Sequence, residues 1–351
     1  MAATIAGKPF WNAKEYSHWD SGLYLSIAER GYELTSCEEI AGTVTHCSGN
    51  AAWFPLYSLT IRVITALGIS PEAAGVLISN ACFLAILLVL WNYLFPDGDK
   101  LRNFLALLFA AVFPRSVYYQ NVFPISLFLI GVLLSVYFFE HVKTARAGLF
   151  GYAAALSYPT GLFFAGLFPL LFFAHRNIHS LKTRFVNAYV VTCTVVAGFL
   201  SVMVVQTVQT GRWNAFFLNQ TEYGHGWNNP LRLLWERIKP ALVEYRFSFH
   251  EAEYAQTLFV AVLMMLATGL VWKNRKVLTR LEWVLYAFCL IYWVMPLVVG
   301  GVLSMYRAES VLLPIVIILR KLHAGILIPL ILSGIYFKLA LSTAFFAGSL
   351  M

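Results

Sequence analysis

Charge is what this chain has least of. Only 12% of its 351 residues are Asp, Glu, Lys or Arg, against about 25% in an ordinary soluble domain, and the mean hydropathy is +0.70. That scarcity excludes a water-soluble globular fold. The net charge of +8 does not point to nucleic acid, because the basic residues are spread through short loops between apolar runs. Low-complexity tracts and a soluble linker domain are absent, and residues 1–18 hold no apolar core of a signal peptide. Cysteine is scarce as well. Cys82, Cys193 and Cys289 lie in apolar runs and read as small packing residues. Cys37 and Cys47 share one polar loop, where a disulfide is compatible with an oxidising compartment. No second Cys/His pair has metal-site spacing, so no metal is expected.

Apolar residues fill the space that charge leaves. They make up 60% of the chain, with 28 Phe, 18 Tyr and 10 Trp, an aromatic load suited to two membrane-interface belts. Runs long enough for about 20 helical residues occur near 73–95, 103–123, 124–140, 186–208, 256–272, 283–303 and 324–348. The run 148–173 is interrupted by Ser157-Tyr158-Pro159-Thr160-Gly161, which predicts two short helices meeting at a break. A shorter run, 310–319, contains Pro314 and ends at Arg320-Lys321. The expected fold class is an all-α polytopic membrane protein with eight to ten membrane segments.

Compact basic loops orient those segments. Lys100/Arg102, Lys143/Arg146, Arg176/Lys182/Arg184, Lys273 to Arg280 and Arg320/Lys321 are expected on the cytoplasmic side. The long stretches 1–70 and 209–255 then fall on the exoplasmic side. One membrane domain is expected over 1–351, with transmembrane helices over 71–208 and 256–351.

The two exoplasmic stretches hold the chemistry-bearing residues. Residues 19–32 read Trp-Asp-Ser-Gly-Leu-Tyr-Leu-Ser-Ile-Ala-Glu-Arg-Gly-Tyr, and 51–57 read Ala-Ala-Trp-Phe-Pro-Leu-Tyr. Trp19, Leu23, Ile27 and Arg30 share one stripe of a helix that Gly31 would end. That stripe is expected along the lipid headgroups, with Asp20 in the first turn. An aspartate there reads first as a helix cap, and a helix terminus would also keep it ionised as a general base must be. Residues 216–230, Phe-Phe-Leu-Asn-Gln-Thr-Glu-Tyr-Gly-His-Gly-Trp-Asn-Asn-Pro, combine aromatic and amide groups that fit sugar rings and hydroxyls. They include an acceptor sequon, Asn219-Gln220-Thr221. His46 and His225 read as polar surface groups. Arg115, in Phe113-Pro114-Arg115-Ser116, and Arg307, in Ser304-Met305-Tyr306-Arg307, either snorkel to the interface or hold an anion.

The ordered set Trp19-Asp20-Ser21, Ile27-Ala28-x-x-Gly31-Tyr32 and Trp53-Phe54-Pro55-Leu56-Tyr57 resembles the first exoplasmic loop of GT-C class integral-membrane glycosyltransferases. Its nearest likeness is the GPI mannosyltransferase II (PIG-V-like) family. The resemblance implies a GT-C-like helix bundle and a mannosyltransferase working without a cofactor. Its partners would be a polyprenyl-phosphate-linked sugar donor, a lipid or glycan acceptor and the bilayer, either a bacterial inner membrane or the endoplasmic reticulum. It implies Asp20 as catalytic base and Arg307 on the donor phosphate. Gln220, Trp227, Arg115, Trp19 and Tyr24 follow as further substrate-binding residues. Three positions depart from the family: Tyr306 precedes Arg307, Asn228 follows Trp227 in place of a cation, and Ile125 stands where eukaryotic members carry Glu. The family also has a membrane helix before this loop, where this chain has only the polar residues Met1 to His18; the expectation is either a span ahead of Met1 in a longer chain or an N-terminus translocated without one. Two rival readings remain, a catalytically silent scaffold subunit and a transporter. The transporter reading calls for charges inside the spans, and apart from Arg115 there are almost none.

Overall fold

The computed structural model describes residues 6–9, 11–40, 42–95, 98–169, 180–223, 226–243, 252–300 and 305–349. In chain order the regular elements begin with α1 (Ser21–Arg30), β1 (Leu34–Ile40), β2 (Thr43–Gly49) and α2 (Pro55–Thr65). Next come α3 (Pro71–Val89), α4 (Lys100–Ala111), α5 (Ile125–Glu140), α6 (Thr144–Ser157) and α7 (Leu181–Thr210). The chain continues through α8 (Ala215–Gln220), α9 (Pro230–Val243), α10 (Ala252–Asn274) and α11 (Arg280–Val299). It ends with α12 (Met305–Ser310), α13 (Val316–Leu319) and α14 (Ala324–Phe346).

Among the described residues five helices are long and apolar enough to cross a bilayer: Pro71–Leu94, Leu181–Thr210, Ala252–Asn274, Arg280–Val299 and Ala324–Phe346. Lipid offers no partners for backbone N–H and C=O groups, so spans satisfy them internally as helix. The protein is a multi-pass integral membrane protein, overwhelmingly helical. α5 is apolar but has only 16 residues.

The apolar run 103–123 does not form one helix. α4 stops at Ala111, and Arg115 adopts a left-handed backbone (φ 62°) before a short 3₁₀ turn at Ser116–Tyr119. Pro114 cannot donate an amide hydrogen bond, which accounts for the interruption. The break expected at 157–161 is present. α6 ends at Ser157, Tyr158 is extended, and Pro159 opens a 3₁₀ segment to Gly166 that packs against α6 and α7. Lys182 and Arg184 lie at the start of α7 rather than in a loop, while Arg176 lies outside the described residues. The β1–β2 hairpin was not expected from an all-helical reading. Its strands pair antiparallel from Leu34↔Gly49 to Ile40↔Thr43, and a disulfide joins the facing pair Cys37–Cys47.

Contacts divide the chain into two compact units. In the unit formed by Ser17–Phe83 and Asn121–His225, the apolar core joins Tyr24, Ile27 and Ala28 of α1 to Tyr57 and Ile61 of α2. The Tyr57 hydroxyl donates to Gly75 O at 2.8 Å, and Ser79 Oγ donates to Phe123 O at 3.0 Å. α5, α6 and α7 pack through small residues, as close helix contact in a membrane requires. A Cβ on Gly131 would lie 3.1 Å from Ala154 Cβ, and one on Gly198 only 2.6 Å from Tyr152 O.

The other unit comprises Met1–Tyr16, Leu84–Gln120 and Gly226–Met351. Here α14 lies against α4, with Lys338 Nζ donating to Ala111 O at 3.3 Å. The short run expected at 310–319 is folded inward: every residue from Val311 to Leu319 is buried. It leads to Arg320 and Lys321, which grip the buried Glu282 carboxylate at 3.1 and 2.9 Å. Glu282 also closes a capping box with Thr279 at the start of α11.

Candidate functional site

Asp20 stands at the N-terminus of α1, half-buried. Its carbonyl accepts from the Leu23 and Tyr24 amides at 3.0 and 3.2 Å, so the residue begins the helix through its backbone. Its carboxylate makes no capping hydrogen bond to that helix. The chain has three aspartates. Asp97 lies outside the described residues, and Asp99 caps α4 through Leu101 N (2.9 Å) while pairing with Arg102 (3.1 Å). The Leu101 amide and Arg102 hold the Asp99 carboxyl below its usual range.

Trp19, just before Asp20, has a left-handed backbone (φ 49°) and an exposed ring. For a bulky residue this conformation costs on the order of 1–3 kcal/mol and persists only where surrounding structure enforces it. Gly31 ends α1 with φ 88°. That positive φ favours glycine, and a Cβ there would also sit 2.7 Å from Gln209 Oε1 and oblige that side chain to shift. Of the expected stripe Trp19–Leu23–Ile27–Arg30, Trp19 and Arg30 are exposed, Leu23 is half-buried and Ile27 is buried. Ile27 joins Tyr24 and Ala28 in the protein core, and Ser21 is buried as well. Periodicity marks an apolar face but does not say whether protein or lipid covers it.

A polar network then fixes α1 against the 51–57 segment. The Tyr32 hydroxyl donates to Trp53 O (2.8 Å), and Tyr24 packs edge-on against Tyr57 with centroids 5.6 Å apart. Ser58 Oγ donates to Tyr24 O at 2.8 Å. Arg62 donates to Ala28 O (2.5 Å) and Ile27 O (3.2 Å), placing positive charge on the carbonyl end of α1. Asn50 is buried, accepts from Glu33 N (2.9 Å) and donates to Gly31 O (3.0 Å). From α7, Gln209 Oε1 accepts from Tyr32 N (2.6 Å) and Gln206 Nε2 donates to Ala51 O (2.7 Å). Asn50, Gln206 and Gln209 were not singled out in the sequence. The available signal was two amides three residues apart in the last turns of an otherwise apolar helix.

The 216–223 segment joins the same unit. Asn219 is fully buried; its amide donates to Cys47 O (3.0 Å) and Glu222 Oε2 (3.2 Å), and its Oδ1 accepts from Ala52 N (2.7 Å). The sequon asparagine is thus a strut of the fold. Gln220, the last residue of α8, is half-buried. His46 Nδ1 lies 3.1 Å from Thr221 Oγ1, and His225 lies outside the described residues. Tyr24 is buried in the core of this unit.

Arg115, Trp227 and Arg307 belong to the other unit. Arg115 is fully buried, so it does not snorkel. It acts electrostatically on Glu253 and Glu309, as Arg237 does, and Gln256 donates to Glu309 Oε2 at 3.0 Å. Arg307 is half-buried on α12, where its carbonyl accepts from Ser310 Oγ at 2.5 Å. Its neighbour Ser304 lies outside the described residues. Trp227 is exposed, three residues ahead of α9. Among the described residues no group of three His, Cys, Asp or Glu gathers as a metal site.

No family model matches the chain, and no characterised protein matches it in sequence.

Proposed function

We propose that this protein is a GT-C-like membrane glycosyltransferase, mannosyltransferase-like, that moves a sugar from a polyprenyl-phosphate donor to an exoplasmic lipid or glycan hydroxyl. The reading rests on one observation: a half-buried carboxylate, Asp20, at a helix start that does not use it as a cap, behind a strained Trp19. Strain of this kind gathers where function requires it. The proposed role for Asp20 is that of base, taking the proton of the acceptor hydroxyl as the sugar C1–phosphate bond breaks. Arg307 is proposed to counter the charge of the leaving phosphate, for which a planar cationic fork is suited. The motif resemblance and the multi-pass membrane architecture support the same reading.

The test is incubation of membranes holding the protein with radiolabelled polyprenyl-phosphate mannose and the lipid extract of the same membranes. Label transferred to a new lipid or glycan, dependent on the protein, is the expected result. Protein-dependent exchange of label across the bilayer without a new covalent product would favour the transporter reading instead.

A further inference from the structure

A strongly amphipathic surface lies on α9, and its geometry divides it three ways. At 100° per residue, Leu233, Arg237 and Ala241 share one side, and Leu233 packs against Leu297 near the end of α11. A second side carries Arg232, Glu236 and Lys239, with Arg232 Nε 2.8 Å from Glu236 Oε1. The third carries Leu231, Trp235, Ile238 and Leu242, spaced four, three and four residues apart. On it Leu231 is 77% exposed, Trp235 56% and Leu242 57%, and Trp227 ahead of the helix is 87% exposed.

The depth of this helix is set by what holds its start. Asn228 N donates to Val298 O at 2.8 Å, and Asn228 Nδ2 donates to Gly300 O at 3.0 Å. Both acceptors are at the terminus of the candidate membrane span Arg280–Val299. The helix therefore begins at the height where a span leaves the hydrocarbon. Asn229 then accepts from Leu231 N and Arg232 N at 3.1 and 3.2 Å, with Pro230 at the first helical position. This is a strong start signal that fixes the rotation of the three sides from the first turn.

We infer that α9 is an in-plane membrane helix, about 21 Å long, whose Trp227–Leu231–Trp235–Leu242 side rests in the headgroup and upper acyl layer of the bilayer. Tryptophan favours that layer because its ring is apolar and its N–H needs a polar partner. Arg232 and Lys239 flank the apolar side and suit lipid phosphates. One acid, Glu236, opposes three bases on the helix, so its net charge complements an anionic headgroup layer. The occupant of this face is thus lipid, whatever reaction the chain performs.

Site-directed spin labelling of the full chain in phosphatidylcholine/phosphatidylglycerol nanodiscs tests this. The background carries Cys82→Ala, Cys193→Ala and Cys289→Ala and keeps the Cys37–Cys47 disulfide. Single labels replace Leu231, Trp235 and Leu242 on one side and Arg232, Glu236 and Lys239 on the other. Each variant is first checked for monodisperse elution, and the water-side labels serve as folding controls within the same helix. The expected result is a depth parameter that changes sign with helical period: oxygen-rich at 231, 235 and 242, nickel-chelate-rich at 232, 236 and 239. Equal nickel access on both sides would show a water-exposed surface and overturn the inference. Exclusion of both reagents, with spin–spin broadening that grows with protein-to-lipid ratio, would show a second copy on the face and overturn it equally.

Discussion

The Ala52 amide donates to Asn219 Oδ1 at 2.7 Å, linking two residues 167 apart in sequence inside a fully buried contact. With the Cys47 carbonyl as its other partner, Asn219 ties the β-hairpin and the 51–57 segment to α8. A glycan on its amide nitrogen would replace one of these donors and has no space. The protein is therefore expected to carry no glycan at Asn219, read as unchanged mobility after endoglycosidase treatment. Asn219→Ala strands the Ala52 N–H and Cys47 C=O and should destabilise by about 1–3 kcal/mol, seen as a lower melting temperature in detergent. A mobility shift in the wild-type chain would contradict the buried placement.

The Cys37–Cys47 bond closes a loop of about ten residues, which the chain-entropy argument values at about 2–3 kcal/mol. Reduction, or Cys37→Ser with Cys47→Ser, is expected to lower the melting temperature. It should also loosen the hairpin to proteolysis near Gly42, where the turn is exposed. Alkylation under denaturing, non-reducing conditions should modify three cysteines, and five after reduction. Five before reduction would remove the disulfide from the fold.

Close approach between α6 and α7 depends on Gly198, whose missing Cβ would stand 2.6 Å from the Tyr152 carbonyl. Gly198→Val must push the helices apart at a cost of about 1–3 kcal/mol. Gly269, on α10, faces open space, so Gly269→Val is the matched control and should leave melting unchanged. Equal melting of the two variants would argue against tight α6–α7 packing.

Membrane architecture was legible because about twenty apolar residues in a row have few other uses, and five long helices follow those runs. Where Pro114 and Arg115 interrupt 103–123, the hydrophobic count was right and the helix was not, since apolarity reports burial and not backbone continuity. Residues 34–49 gave a weak strand signal. Most of their side chains are exposed, so alternation is faint and the disulfide supplies much of the constraint. At the candidate site, the Gly31 stop could be read from spacing, whereas Asp20 stood out only through the motif resemblance. Asn50 could not, and Gln206 and Gln209 showed only as a pair of amides in an apolar helix, because each bonds backbone atoms distant in sequence or in the adjoining turn and the sequence does not name those partners.

Glu282 is buried between Arg320 and Lys321 while also accepting from the Thr279 amide at 2.8 Å. Removing one member of a buried ionic group leaves uncompensated charge, typically at about 3–5 kcal/mol. Glu282→Ala loses both the cap and the pairs and should melt lowest. Glu282→Gln can still accept from Thr279 and should fall between Ala and the wild type. Indistinguishable melting of all three proteins would show that the cluster adds nothing to stability.

Asp20→Asn separates the catalytic reading from the structural one. The amide keeps the size of the carboxylate and could still start α1, whose first turn is held through the Asp20 carbonyl and not its side chain. The exchange therefore removes no helix cap, and melting should fall far less than activity. Sugar transfer, by contrast, loses its base and is expected to fall by about 10²-fold or more. Trp19→Gly offers an independent check, since glycine adopts the left-handed backbone at φ 49° without strain. If the strain exists to aim Asp20, Trp19→Gly should hold or raise stability while lowering turnover. An Asp20→Asn enzyme with near-normal turnover would leave the carboxylate without a catalytic role and remove the observation on which the proposed function stands.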